Sequence, residues 1–457
     1  MSELPADRIR EIESVVSDWL HEADVPGASV VVVDADGECY ADGFGARDLE
    51  TNDPATPDTL YGMASISKSF TALGILQLAE DGALSVEDSV DDYVDYFEDA
   101  PGEPITIEEL LTHTSGMPAT ASGVLSQLLE GHPSGVADWD DRKRWIRDAV
   151  DFRVTDEDRF FYYNAGYGVL GAVIEAVDGR AYAEYVGDEI LEPLGMKRST
   201  FEREDFESEE DAMTGYVPGD DAPEERPFPF TDLIYASGGL VSSAREMGRY
   251  VRAMMTDGSL DGTRVCEPES VERLHQGRAV RQEYLDGGAQ QYGYGWMRQP
   301  VLDDELVGHG GSLLVSTTYM GFLEDEGLGI AVACNTTADP HPMHLGPALL
   351  AAATGRDPTE VPAFVLREKC EAVAGTYETF REGMTATVEH DGGQLSITLE
   401  SSYGEEDLSV FPETLDPEDY RFYTVGGAGQ RLPVEFDLDG DRADMYFRRN
   451  RFQRTIS

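Results

Sequence analysis

The sequence predicts an α/β fold: an antiparallel sheet flanked by helices, with an inserted helical region, followed by a C-terminal all-β, barrel-like domain. Three observations carry that prediction. Strand pairs at 28–33 with 38–44 and at 316–323 with 328–335 each enclose a polar, glycine-ended turn, Asp34-Ala-Asp-Gly37 and Glu324-Asp-Glu-Gly327, so they read as hairpins. Between them, residues 66–290 are mainly helix and loop. After residue 362 the pattern changes to short alternating stretches.

Taken in order, Ile9, Ile12, Val15, Val16 and Leu20 recur at helical spacing over 7–22, and Pro26-Gly27 stops that helix before the first hairpin. A second helix follows Tyr61, with Phe70, Leu73 and Leu76 on its apolar side and an end near Gly82. Residues 202–225 hold eleven acids and one arginine beside Pro218, Gly219 and Pro223, and read as a solvated loop. The second hairpin is expected to share one antiparallel sheet with the first, and a helix over 343–353 closes the segment. The first domain is thus read as 1–356, a linker as 357–364, and the β domain as 365–457. In the last, alternation at 385–388, 395–399, 421–425, 434–438 and 444–447 is split by Asp391-Gly-Gly and Asp439-Gly-Asp.

Composition narrows the function. The length of 457 residues admits two or three domains, and 41% hydrophobic content is that of an ordinary core. Ninety acids against 34 bases give a net charge of −56, which argues against nucleic acid or anionic membrane surfaces as partners. Disorder does not fit, because apolar runs such as 30–33 and 329–333 recur, with 18 Phe and 21 Tyr among them. An acidic coat over a normal core, with only four lysines, reads as halophilic adaptation to molar salt, where the screening length falls to about 3 Å. The start, Met1-Ser-Glu-Leu-Pro-Ala-Asp-Arg, has neither the basic nor the apolar part of a secretory leader, and no apolar run of about 18 residues occurs, so a cytoplasmic location is expected. Cys39, Cys266, Cys334 and Cys370 lie far apart and read as buried free thiols. His341-Pro-Met-His344 opens an apolar helical stretch, so no metal is expected, and no motif calls for a cofactor.

The chemistry begins at Ser65-Ile-Ser-Lys68. Lysine is scarce, at 68, 143, 197 and 369 only, against thirty arginines. An arginine at 68 could not serve as a base, whereas a desolvated lysine can give up its proton. At i and i+3 on a helix the amine reaches the hydroxyl, so the pair reads as a nucleophile with its activator. A bare S-x-x-K is common, and its surroundings decide.

Those surroundings are Ile105-Thr-Ile-Glu-Glu-Leu-Leu-Thr-His113-Thr-Ser-Gly116, Phe161-Tyr162-Tyr163-Asn164-Ala-Gly-Tyr-Gly-Val-Leu-Gly171, Pro193-Leu-Gly-Met196, Ala236-Ser-Gly-Gly-Leu-Val-Ser-Ser243 and Gly308-His309-Gly310-Gly311. With the Ser65 segment they make six blocks in the order of the serine β-lactamase and penicillin-binding-protein superfamily, which the chain resembles over roughly residues 10–355. The resemblance is to the branch of class C β-lactamases, D-alanyl-D-alanine carboxypeptidases, D-aminopeptidases and esterases.

The resemblance implies that Ser65 is acylated and that Lys68 takes or relays its proton. Tyr162 would share the proton network, its phenol acidified by the nearby ammonium, and Asn164 would orient substrate and lysine. His309, Gly310, Gly311 and Ser312 would line the substrate edge, where many relatives carry K-T-G, and the amides of Ser65 and Ser312 would form the oxyanion hole. A histidine in place of that lysine puts β-lactam or peptide-carboxylate binding in doubt. His113 reads as structural, since the family places its segment at a helix end and the chain has no G-x-S-x-G elbow; Ser237-Gly-Gly-Leu240 lines the site and lacks a phosphate-binding lysine. The expected activity is hydrolysis of a small ester, amide or peptide, D-residues included. The alternative is a non-catalytic protein of this fold used for binding or assembly. Appended barrels in this superfamily gate the site or join subunits, so a homo-oligomer through the C-terminal domain is also an expectation.

Overall fold

The computed structural model describes residues 4–118, 139–155, 159–219, 222–231, 234–285, 287–391, 393–440 and 442–455. The chain divides into two compact units, residues 1–282 with 289–356, and residues 357–457 with 283–288.

The first unit is organised by a nine-stranded sheet. Its order is Ala279–Glu283, Ala289–Tyr292, Met297–Val301, Asp304–Leu313, Ser316–Leu323, Leu328–Cys334, Gly27–Asp34, Glu38–Asp48 and Asp53–Pro54. The two hairpins meet as expected: Gly27–Asp34 pairs antiparallel with Leu328–Cys334, with Val30 opposite Val332. Both faces of this centre are covered, which is why strand Gly27–Asp34 is buried from Gly27 to Val33 and carries four successive valines rather than alternating. Val30 and Val32 pack with Ile12, Val16 and Trp19 of helix Ala6–Glu22 and with Leu345 and Leu349 of helix Pro342–Thr354. Val31 and Val33 face Met247 and Val251 of helix Ala244–Met255 and the helical region beyond.

Two parts depart from the sequence reading. The helical region ends near residue 278, not 290, because Ala279–Glu283 and Ala289–Tyr292 extend the sheet at its edge. Edge strands are short and polar, so Ala-Val-Arg-Gln-Glu carries no apolar alternation to read. Residues 202–225 are not simply a solvated loop. They contain helix Arg203–Ser208 and the paired strands Tyr216–Val217 and Glu224–Glu225. Asp211 accepts hydrogen bonds from Thr59 and Thr56 at 2.5 and 2.6 Å, and Tyr216 is buried. Asp220 and Asp221 lie outside the described residues.

The second unit is a closed barrel of eight strands running in sequence order from Gly375–Glu378 to Asn450–Arg454. Alternate residues fill it, as in Leu395, Ile397 and Leu399 of strand Gln394–Ser401. Where a linker is expected at 357–364, the chain forms a 3-10 turn at Pro358–Glu360 and then helix Pro362–Val373. Its buried positions are Val365, Lys369, Cys370 and Val373. Lys369 is buried because its ammonium donates to the Thr414 and Asp416 carbonyls at 2.7 and 2.8 Å. All four cysteines are buried free thiols. Among the described residues no helix is long and apolar enough to cross a membrane, and no group of side chains could hold a metal ion.

Asn335 closes the sheet's centre. Its Oδ1 accepts from the Gly27 amide at 2.9 Å, and its Nδ2 donates to the Ala46 and Arg47 carbonyls, each at 3.2 Å. Asn335→Ala removes the side-chain partner of the Gly27 amide and the Ala46 carbonyl, at about 1–3 kcal/mol for each one left unsatisfied, whereas the Arg47 carbonyl still accepts from the Thr214 amide at 2.9 Å. A fall in the denaturant midpoint is the expected result; an unchanged midpoint would show that water replaces the side chain.

Candidate active site

From Thr59 to Leu76 every residue is buried except Ser65. The stretch runs as strand Leu60–Gly62, a 3-10 turn at Ala64–Ile66 and helix Ser67–Glu80, which is buried on all sides from Ser67 to Leu76 and central to the helical region. Ser65 therefore sits on the turn before the helix. Ala64 takes a left-handed φ of 49°, a conformation that costs a non-glycine residue about 1–2 kcal/mol and that surrounding contacts must hold.

Those contacts come from the sheet and from the 236–240 turn. Ser316 donates to the Gly62 carbonyl at 2.9 Å and Thr318 to the Met63 carbonyl at 3.0 Å. Gly311 lies so close that a Cβ there would stand 2.3 Å from the Met63 oxygen, which explains the glycine in His309-Gly310-Gly311. Ser67 is structural: its hydroxyl donates to the Ala64 carbonyl at 2.8 Å and accepts from the Leu240 amide at 3.0 Å.

Lys68 is fully buried. Its Nζ lies 3.0 Å from Ser65 Oγ and donates to the Ser237 carbonyl at 2.7 Å. The expected pairing across i and i+3 is present, and the Ser237-Gly-Gly-Leu240 turn supplies the atom that fixes the amine. Nζ also stands 4.9 Å from the centre of the Tyr162 ring and 5.7 Å from that of Tyr167. Asn164 opens helix Asn164–Asp178 two residues after Tyr162, and this helix packs on the one that carries Lys68.

One sequence-derived expectation changes, that for the Tyr162 phenol, and the doubt over a charge at His309 gains a physical cause. Burial raises the Tyr162 phenol to about 12, with hydrogen bonds to Ser65 and Tyr292 and the charge of Arg281 offsetting only part of it. The phenol thus keeps its proton near neutral pH, contrary to the expectation that a nearby ammonium acidifies it. His309 is 2% exposed and both ring nitrogens are engaged. Its Nδ1 lies 2.6 Å from the Gly310 carbonyl, which can only accept, so Nδ1 carries the proton and Nε2 accepts from the Tyr292 hydroxyl at 3.0 Å. Burial first, then the charge of Lys68, pushes its pKa down to about 3. It is a neutral support within strand Asp304–Leu313 rather than a cationic contact for substrate. Gly310 is half-buried and Ser312 is exposed on the same strand, leaving them open to a ligand.

Sequence reasoning missed three residues. His341 accepts the Met343 amide on Nδ1 at 2.9 Å, so its Nε2–H donates to the Gly311 carbonyl at 3.1 Å. Tyr292 orients His309, and only its place before Gly-Tyr-Gly-Trp296 hinted at a constrained turn. Phe160 joins an aromatic group with His113, Tyr162 and Tyr292, centres 5.6, 6.5 and 5.6 Å away. His113 has the structural role expected of it. The Tyr163 amide occupies its Nδ1 at 3.0 Å, leaving no lone pair for a serine proton, and its ring packs 4.3 Å from that of Tyr162.

Comparison with known proteins gives the family and the fold. Residues 12–354 match the Beta-lactamase family and residues 358–453 the Pab87 octamerisation domain. The octameric penicillin-binding protein homologue from Pyrococcus abyssi superposes with a TM-score of 0.88 at 32% identity, covering 98% of this chain and 100% of its own. Penicillin-binding protein 4* of Bacillus subtilis (strain 168) is 26% identical over 440 residues, 89% of either chain. Protein flp of Staphylococcus aureus (strain MW2) is 26% identical over 345 residues, which is 74% of this chain and 65% of that protein's length.

A neutral buried His309 has a consequence for stability. Its folded-state value of about 3 lies below the unfolded value of about 6.5, so the contribution is complete above pH 6.5 and is lost as pH falls towards 3. Denaturant midpoints of wild type and His309→Gln should therefore differ most at neutral pH and converge on acidification. A gap that widens in acid would mean that the histidine is charged in the fold.

Proposed function

Since the chain belongs to the Beta-lactamase family over residues 12–354, we propose that it is a serine hydrolase that forms an acyl-enzyme at Ser65 and hydrolyses an ester or amide. The observation that carries the reading is the 3.0 Å approach of Lys68 Nζ to Ser65 Oγ, with the same nitrogen tied to the Ser237 carbonyl. A neutral amine has two hydrogens and one lone pair. One hydrogen given to Ser237 leaves the lone pair for the serine proton.

Ser65 Oγ attacks the substrate carbonyl carbon as its proton passes to Lys68. The oxyanion is held by the amides of Ser65 and Ser312, a contribution of about 10²–10³ in rate per donor. Collapse breaks the bond to the leaving alkoxide or amine, which takes a proton from Lys68 or from the Tyr162 phenol. A phenol that keeps its proton suits this acid role better than that of a base. Water then attacks the acyl carbonyl, giving its proton to the same pair, and Ser65 is released. Asn164 orients the substrate amide or ester. A neutral His309 supplies no fixed positive charge, which favours neutral substrates, peptides with D-residues among them where their carboxylate lies elsewhere.

The match of residues 358–453 to the Pab87 octamerisation domain, and the octameric state named for the Pyrococcus abyssi homologue, support self-association of this chain. The net charge of −56 with four lysines supports a salt-rich cytoplasm as its setting. Retention of Ser65, Lys68, Tyr162 and Asn164 together argues against a purely scaffolding protein.

A fluorophosphonate probe should label the protein once, at Ser65, and Ser65→Ala should abolish labelling and turnover. Lys68→Ala should lower kcat/KM by about 10²–10⁴. Folded wild type that neither labels nor turns over a broad panel of esters and D- and L-aminoacyl amides would favour the scaffold. The acidic coat gives a separate expectation: the thermal midpoint should rise between about 0.1 M and about 3 M KCl as the screening length shortens from about 10 Å to below 3 Å. A midpoint indifferent to salt would remove the argument for a halophilic setting.

A further inference from the structure

We propose that the end of the barrel carrying Phe380 and Tyr403 is the surface through which one copy of this chain holds another. The inference rests on the self-association proposed above and adds the face that performs it. Tyr403 is 100% exposed and Phe380 87%, the two most exposed large apolar side chains among the described residues. Nearly all the other large apolar residues are buried or half-buried, and the surface around them is acidic. Two aromatic rings this exposed, with only the Arg381 guanidinium over one of them at 5.3 Å, call for a partner.

The strand register puts the two residues at one end of the barrel. Met384 stands opposite Ser401, so the connection at 379–383 and the turn at 402–403 leave the barrel at the same end. Hydrogen bonds shape both. The Thr379 amide donates to the Met384 carbonyl at 3.0 Å, the Met384 amide to Thr379 Oγ1 at 2.9 Å, and the Glu382 amide to the Thr379 carbonyl at 2.9 Å. Arg381 and Glu382 are held at φ 63° and 55°, a left-handed pair of non-glycine residues that these bonds sustain and that turns Phe380 outward. The Tyr403 amide donates to Ser401 Oγ at 3.2 Å, and Gly404 takes a φ of 128° open to glycine. Backbone held this way loses little conformational freedom on contact, as suits the centre of an interface.

The occupant is a second copy because the barrel is the part that matches an octamerisation domain, and because the octameric homologue superposes over 98% of this chain. Each aromatic buries about 150–250 Å². Two of them fall short of the roughly 800 Å² that a stable contact takes from each partner, so they form its core. Around them the rim carries Arg381 with Glu382 and Glu405, charges of both signs that a two-fold contact can pair. The rest of the chain, at −56, repels its copies until salt screens it, so the contact should need high salt.

Light scattering after gel filtration of the full chain in about 3 M KCl tests this, with Phe380→Ser, Tyr403→Ser and the double variant beside wild type. Phe152→Ser serves as a control, 71% exposed on the first unit. The expected result is an oligomeric wild type, a double variant shifted to a smaller species with self-association weakened at least about tenfold, as for a hot-spot loss, and an unchanged control. Circular dichroism and probe labelling at Ser65 should be retained in each. A wild type that stays monomeric at every concentration would overturn the assembly reading itself. An oligomeric wild type whose mass the double variant preserves would overturn the assignment of the face alone.

Discussion

A buried lysine amine held between a serine hydroxyl and a backbone carbonyl is the constraint on which the rest of the first unit depends. Lys68 is fully buried, 3.0 Å from Ser65 Oγ and 2.7 Å from the Ser237 oxygen. Holding that geometry requires the serine on a strained turn, with Ala64 at a φ of 49°. The turn in turn requires a rigid wall. The hydroxyls of Ser316 and Thr318 grip its carbonyls, and Gly311 comes within reach of Met63 only because it has no side chain. The sheet is therefore part of the site, and the buried strand Gly27–Asp34 at its centre anchors that wall between two layers of helix.

The histidines show how the site is made stiff without charge. Successive carbonyls of strand Asp304–Leu313 are each held by an imidazole, Gly310 by the ring of His309 and Gly311 by that of His341. Burial is the first cause of the lowered pKa in both, to about 3 and about 4, so both stay neutral donors through the working range. A third, His113, is pushed well down by burial and supports Tyr163 and the Tyr162 ring. The positive charges that act on the His113, Tyr162 and His309 rings come from Lys68 and Arg281.

What the sequence made legible was local. Ser65 and Lys68 were readable because a three-residue spacing on a helix is itself a statement of contact, and the barrel because residues 394–401 alternate at period two. The two hairpins were readable from their turns. The hydroxyls that grip the serine turn were not, since Ser316 and Thr318 act across 254 and 255 residues. The raised Tyr162 phenol and the lowered His309 imidazole were not readable, because burial, the leading cause in both, is a property of the packed molecule. Helix Pro362–Val373 escaped because Lys369 occupies one of its four buried positions, where a pattern of apolar residues would place a hydrophobe.

Quenched-flow mass spectrometry with a slow ester tests the central claim most directly, comparing wild type with Lys68→Arg, which keeps a cation at the site and removes the base. The account expects the acyl mass to accumulate on the peptide that carries Ser65 in wild type and to be absent from a Lys68→Arg protein that retains its near-ultraviolet dichroism. Acylation of Lys68→Arg at the wild-type rate, or an adduct on any other residue, would contradict it.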